Sequence, residues 1–205
     1  MMADTRATAV SGSLAIGALY FWIIGEIGLL VVAADFVAGG GINVWFATAP
    51  VLALAGLIAL GISLITAIVC FVWIYRAMAI AHRITPTLSV SPGWAVGWFF
   101  VPIASLWKPY EAVAQMIEGS GGARMTATRF LAGWWWAAWL ARGVIGVFAS
   151  IAARPDSTTG AVTTGYGVTL MLACVAGIAT AVLFQEIIRR VTAAQNGAVD
   201  SEIFA

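Results

Sequence analysis

The chain predicts an all-α integral membrane bundle: four transmembrane helices plus a helical hairpin that re-enters the membrane, or lies along it, on the cytoplasmic side. Three observations lead there. Of 205 residues, 62% are hydrophobic and 9% charged, with mean hydropathy +0.98. A water-soluble domain carries about a quarter charged residues, so most of this surface needs lipid as its solvent. Four apolar stretches are long enough to cross about 30 Å of hydrocarbon as helix. The lysine and arginine residues gather on one side of those stretches.

The first span is Ser13–Phe36. Arg6 ahead of it and VVAA before Asp35 give it some likeness to a signal peptide, but the run is longer than a usual signal core and contains Glu26. It is read as a retained helix. GGGIN, rich in turn formers, leads to the second span, Phe46–Tyr75. The third and fourth, Arg129–Ala153 and Gly165–Arg189, flank the polar loop RPDSTTGAVTT. With both termini cytoplasmic, Arg6, Arg76, Arg83, Lys108, Arg124, Arg129, Arg189 and Arg190 all lie inside, Arg154 alone lies outside, and Arg142 falls within the membrane. That asymmetry follows the rule that basic residues stay in the cytoplasm. A single membrane domain over residues 1–205 is expected, since composition shows no break.

Ser91–Tyr110, SPGWAVGWFFVPIASLWKPY, is apolar yet holds Pro92, Pro102 and Pro109, with Pro86 just upstream, and Gly93 and Gly97. It also holds Trp94, Trp98, Trp107 and Lys108, the only lysine. Irregular backbone at membrane depth must be buried in protein or line a wet cavity. The expectation is a short helix over Trp94–Val101, a break at Pro102, and a return near Trp107 and Lys108. Pro109 then starts an amphipathic surface helix to Glu118, with Tyr110, Val113 and Ile117 on one face. The whole re-entrant or interfacial segment covers 91–118. The alternative is a fifth span over Trp94–Ile117, which would put Lys108 near mid-membrane and send one group of basic residues outside.

Small residues recur every four positions: Ala55, Ala59, Ser63 and Ala67 on the second span, and Ala173, Gly177 and Ala181 on the fourth. Ala138, Gly146 and Ser150 flank Arg142 on the third. Such faces let helices approach closely in lipid.

Glu26 and Arg142 are the deepest charges. Each lies about thirteen residues from the cytoplasmic start of its helix, so both reach similar depth. An unpaired charge there costs about 2.5–3.5 kcal/mol on insertion scales, which makes a buried ion pair the economical arrangement and a proton or ion path the alternative. Most of the ten tryptophans suit the membrane interfaces, with Trp45 at the outer one. Trp94, Trp98, Trp107, Trp134, Trp135, Trp136 and Trp139 all map to the cytoplasmic half around the hairpin, where a quinone or a lipid tail could stack. Of these, Trp94, Trp98, Trp107, Trp135 and Trp139, with Pro102, Lys108 and Pro109, form the candidate functional or packing site. His82, the only histidine, is read as an exposed interfacial residue. Cys70 and Cys174 are read as free buried thiols.

No catalytic, cofactor or metal site is expected. GxSxG, HExxH, GxxxxGK and GxGxxG after a strand are all missing. A net charge of +1 gives no field to draw nucleic acid. The expected partners are the lipid bilayer and a membrane protein or a second copy of the chain. The leading expectation is a non-enzymatic accessory or scaffold subunit of a membrane complex. A small-solute or ion channel or transporter, and a lipid- or quinone-binding protein, are the alternatives.

SPGWAVGWFFVPIASLWKPYEAV resembles the signature of a family of bacterial multi-pass membrane proteins classed only as a domain of unknown function. Trp73, Tyr75, Arg76 and Ala77 match an element before it, Trp134–Trp139 a tryptophan-rich span after it, and Gln195 a glutamine beyond the last span. The likeness covers roughly residues 46–195. Ser105 departs from it, standing where the family would have Asn. The resemblance implies a fold in a bacterial inner membrane and gives weight to Ser91–Tyr110. It implies no activity.

Overall fold

The computed structural model describes residues 2–38, 49–152 and 164–203. The glycine loop at 39–43, Trp45 and the expected outer loop from Arg154 lie outside them. The described residues are helical: α1 (Met2–Ala38), α2 (Ala49–Ile84), the short α3 (Pro92–Gly97), α4 (Lys108–Gly121), α5 (Thr126–Ala152) and α6 (Thr164–Ile203). Single 3-10 turns occupy Trp98–Phe100, Ala104–Leu106 and Gly122–Met125.

Among the described residues, three segments are long and apolar enough to cross a membrane: Asp4–Asp35 in α1, Gly56–Ile84 in α2 and Gly165–Ala198 in α6. α5 holds the third expected span as far as Ala152.

The chain divides into two compact units, each built from pieces of the same long helices. One unit comprises Met1–Leu19, Ile65–Trp136 and Val182–Ala205. Its core is a stripe on α2 (Trp73, Ile74, Ala77, Met78, Ala81), at the spacing of one helical face, packed with Val113, Met116 and Ile117 of α4, Trp135 and Trp136 of α5, and Ile187, Ile188 and Val191 of α6. The apolar spans read from sequence are shorter than the helices because these ends mix polar and apolar residues. Thr5, Thr8 and Ser11 of α1 are buried here all the same, and the hydroxyls of Thr8 and Ser11 donate to carbonyls of their own helix.

Polar side chains stitch this unit through α1. Gln185 Nε2 donates to the Ile16 carbonyl at 3.4 Å, Thr66 Oγ1 to that of Ala18 at 3.4 Å, and Arg76 Nη1 to that of Ala7 at 3.0 Å. A carbonyl has two lone pairs, so it accepts these in addition to its helical bond. Arg83 pairs with Asp4. Gln195, 1% exposed, donates to the Ala77 carbonyl at 2.8 Å and to Ser120 Oγ at 2.9 Å, which joins α6, α2 and α4.

The second unit comprises Tyr20–Leu64 and Ala137–Ala181. The α6 ladder is used inside it, with Ala173, Gly177 and Ala181 all buried. The α2 ladder is not: Ala59 and Ser63 are exposed, and Ala67, which falls in the first unit, is half-buried.

Two sequence expectations need correction. α4 is covered by protein on more than the one face its amphipathic pattern offers. Ala112, Val113, Ala114, Met116, Ile117, Gly119 and Ser120 are all buried, on more than one face. Its small residues admit close neighbours: a Cβ on Gly119 would stand 2.6 Å from Leu88 and 3.3 Å from the Ala81 methyl. Its polar residues are engaged as well. Gln115 Oε1 accepts from the amides of Ser89 and Val90, and Glu118 pairs with Arg129. His82 is likewise half-buried rather than exposed, with Nε2 2.6 Å from the Val90 carbonyl, where it ties the end of α2 to the following loop.

Candidate functional site

The hairpin begins at Ser91, whose hydroxyl caps α3 by accepting from the Trp94 amide at 3.4 Å, with Pro92 in the first turn. α3 ends at Gly97, before the Val101 expected from sequence, and continues only as the 3-10 turn at Trp98–Phe100. Pro102 acts through its predecessor. A proline disfavours helical backbone in the residue before it, and Val101 is extended, at φ −89° and ψ 112°. The reversal itself falls one residue beyond Pro102. Ile103 has φ 62° and ψ −60°, and the Ala104 amide donates to the Pro102 carbonyl at 2.6 Å. That is a three-residue γ-turn of the strained hand. A β-branched residue in this region is an outlier, with a strain on the order of 1–3 kcal/mol.

From there the chain climbs through Ala104–Leu106 to Trp107, and α4 starts at Lys108 with Pro109 in its first turn. Lys108 Nζ pairs with Glu111 at 2.5 Å and lies 5.9 Å from the centre of the Trp98 ring. Trp94 and Trp98 stand 4.5 Å apart, centre to centre. The segment 94–117 is therefore broken into short pieces rather than continued as one helix.

The first unit brings Trp94, Trp98, Pro102, Trp107, Lys108, Pro109 and Trp135 together within one body. Trp139 belongs to the second. Of the Trp134–Trp136 run, Trp135 and Trp136 are buried and Trp134 is exposed, as steps of one residue around a helix require. Trp135 stacks on Phe184 at 4.9 Å and meets Trp136 at 5.3 Å; Phe99 meets Trp136 at 6.3 Å and Phe71 at 5.1 Å. These rings fill the space between the hairpin and the long helices with one another. Phe71 and Phe184 were not singled out in the sequence. The Trp136 indole N–H donates to the Leu106 carbonyl at 2.9 Å, satisfying a backbone group the broken hairpin leaves free.

A second cluster lies in the second unit. Glu26, 5% exposed, accepts from Arg142 Nη2 at 2.5 Å. The guanidinium lies 5.0 Å from the centre of the Trp22 ring, a cation–π contact. Trp22 is one helical turn before Glu26, a spacing that marks a shared face and was legible in the sequence. Gly177 closes the other side: a Cβ there would stand 2.8 Å from Arg142 Nε and 3.1 Å from the Glu26 carboxyl. Arg142 Nε has no acceptor among the described residues. The arrangement holds two charges in register and neutralises them. Among the described residues, no group of three His, Cys, Asp or Glu could hold a metal ion.

The long apolar helices and the broken hairpin packed onto them define a helical membrane protein. The chain belongs to the family described as "Domain of unknown function (DUF4328)", whose model matches residues 41–193. No curated protein and no solved structure matches it.

Proposed function

We propose that this protein is a non-enzymatic accessory or scaffold subunit of a membrane assembly. The observation that supports this reading most is the unused face of α2. In lipid, small residues give a helix no advantage unless another helix packs on them, and here Ala59 and Ser63 are exposed. Only 17% of the apolar window in α1 and 22% of that in α2 is buried by the rest of the chain. The partner is a membrane helix, from another subunit or a second copy, seated on the Ala59–Ser63 face.

The topology proposed with it is four spans with both termini in the cytoplasm of a bacterial inner membrane, and a hairpin that re-enters from the cytoplasmic side. The Glu26–Arg142 pair is proposed to be structural. Each charge neutralises the other and the Glu26 carboxylate is almost wholly buried, which weighs against a transport path. The stacked rings at Trp135 and Phe184 occupy the space a flat ligand would need.

Isolation from native membranes in a mild detergent tests the reading. The expected native mass exceeds that of the 21.4 kDa chain by a stoichiometric partner or a second copy, and Ser63→Leu is expected to return it to the single chain. A lone chain of wild-type sequence, with or without a bound small molecule, would refute it.

A further inference from the structure

We propose that the tip of the hairpin, Phe100, Ile103 and Leu106, is a lipid-insertion surface that takes the acyl chains of the nearer membrane leaflet. This rests on the membrane reading above and adds what the tip touches.

The depth of the tip follows from its contacts. Phe99 and Phe100 pack on Phe71 of α2, at 5.1 and 5.5 Å between ring centres. The Leu106 carbonyl accepts from Trp136 of α5. Phe71 lies five residues from Arg76 towards the apolar part of its helix, about 7.5 Å at the helical rise. Trp136 lies seven residues from Arg129, about 10 Å. Residues 99–106 therefore sit beyond the basic rim by the depth at which interfacial elements meet the acyl chains, about 5–10 Å.

At that depth the tip presents apolar side chains outward. Phe100 is 70% exposed and Ile103 73%, with Leu106 and Trp107 also exposed. The surface continues onto the exposed Ile68 and Val72 of α2, in the same unit and within the segment apolar enough to cross a membrane. Trp94 and Trp107, both exposed, and the Lys108–Glu111 pair supply the amphipathic and charged groups that suit the headgroup level. The strained turn is consistent with this role: a positive φ at Ile103 is a conformation glycine would adopt without penalty, yet a large apolar side chain stands there and points away from the protein.

Nitroxide labels on single cysteines test it, in a background lacking Cys70 and Cys174, with the whole chain reconstituted in phosphatidylethanolamine–phosphatidylglycerol vesicles. Labels replace Phe100, Ile103 and Leu106, each exposed and so tolerant of substitution. Ile68 on the apolar stretch of α2 and the exposed Thr87 in the loop before the hairpin are the references. The expected result is relaxation by oxygen and protection from a water-soluble nickel chelate at 100, 103 and 106, as at 68. Nickel access like that at 87 would overturn the proposal, and protection from both reagents would overturn it in favour of a covering protein segment. Nickel access at 68 as well would instead sink the membrane reading on which the proposal rests.

Discussion

Arg142→Gln alone is expected to cost about 3–5 kcal/mol, the penalty for stripping the partner from a buried charge, Glu26→Gln to cost less because the Arg142 side chain is 37% exposed, and the double change to recover part of the larger loss. The pair is set at 2.5 Å, with the carboxylate almost wholly buried. Removing Arg142 leaves Glu26 without its cation. Removing Glu26 leaves a guanidinium whose Nε already lacks an acceptor among the described residues. In the double variant two neutral amides can share a hydrogen bond, so the losses should not add. Unfolding in mixed micelles with increasing denaturing detergent measures each variant, and strictly additive losses would mean the two side chains do not interact.

Gly177→Val is expected to be nearly as damaging, by a different route. The space at Gly177 is filled by Arg142 and Glu26, at 2.8 and 3.1 Å from where a Cβ would stand. A branched side chain there must push the guanidinium off the carboxylate, adding the loss of the pair to the usual overpacking cost of about 1–3 kcal/mol. The smaller Gly177→Ala makes the argument quantitative. It should destabilise the wild-type protein and cost less beside Arg142→Ala, where the 2.8 Å contact is gone and the Glu26 carboxyl at 3.1 Å remains. Equal cost in both backgrounds would show that Gly177 serves helix approach alone and not the ion pair.

Much of this arrangement was legible in the sequence, and the limits have physical causes. The long helices follow from apolar runs, and the juxtaposition of Glu26 with Arg142 from equal depth and the cost of a bare charge in lipid. The proline and glycine content of Ser91–Tyr110 pointed to a broken segment. The position of the reversal was not legible: Pro102 marks the end of helical backbone, but nothing in the residue type of Ile103 signals a positive φ. The burial of α4 was also hidden. An amphipathic pattern describes a helix with one covered face, whereas Ala112, Ala114 and Gly119 are small enough to be covered on others. Gln185 and Gln195 were readable only as polar residues in or beyond an apolar run, because the carbonyls they reach, at Ile16 and Ala77, lie on distant parts of the chain. The α2 ladder taught the reverse lesson. Its spacing promised close helix approach, and the described chain leaves that face open.

In the proposed topology the hairpin returns to the side of the membrane it left, and labelling its two flanks tests this. Single cysteines at Thr87, before the hairpin, at Ala123, after α4, and at Ser157, between α5 and α6, are placed in a background lacking Cys70 and Cys174. The cells are then treated with a membrane-impermeant maleimide. Position 157 is expected to react in intact cells, and positions 87 and 123 only after permeabilisation. Reaction of 87 and 123 from opposite sides would contradict it and make 94–117 a fifth crossing.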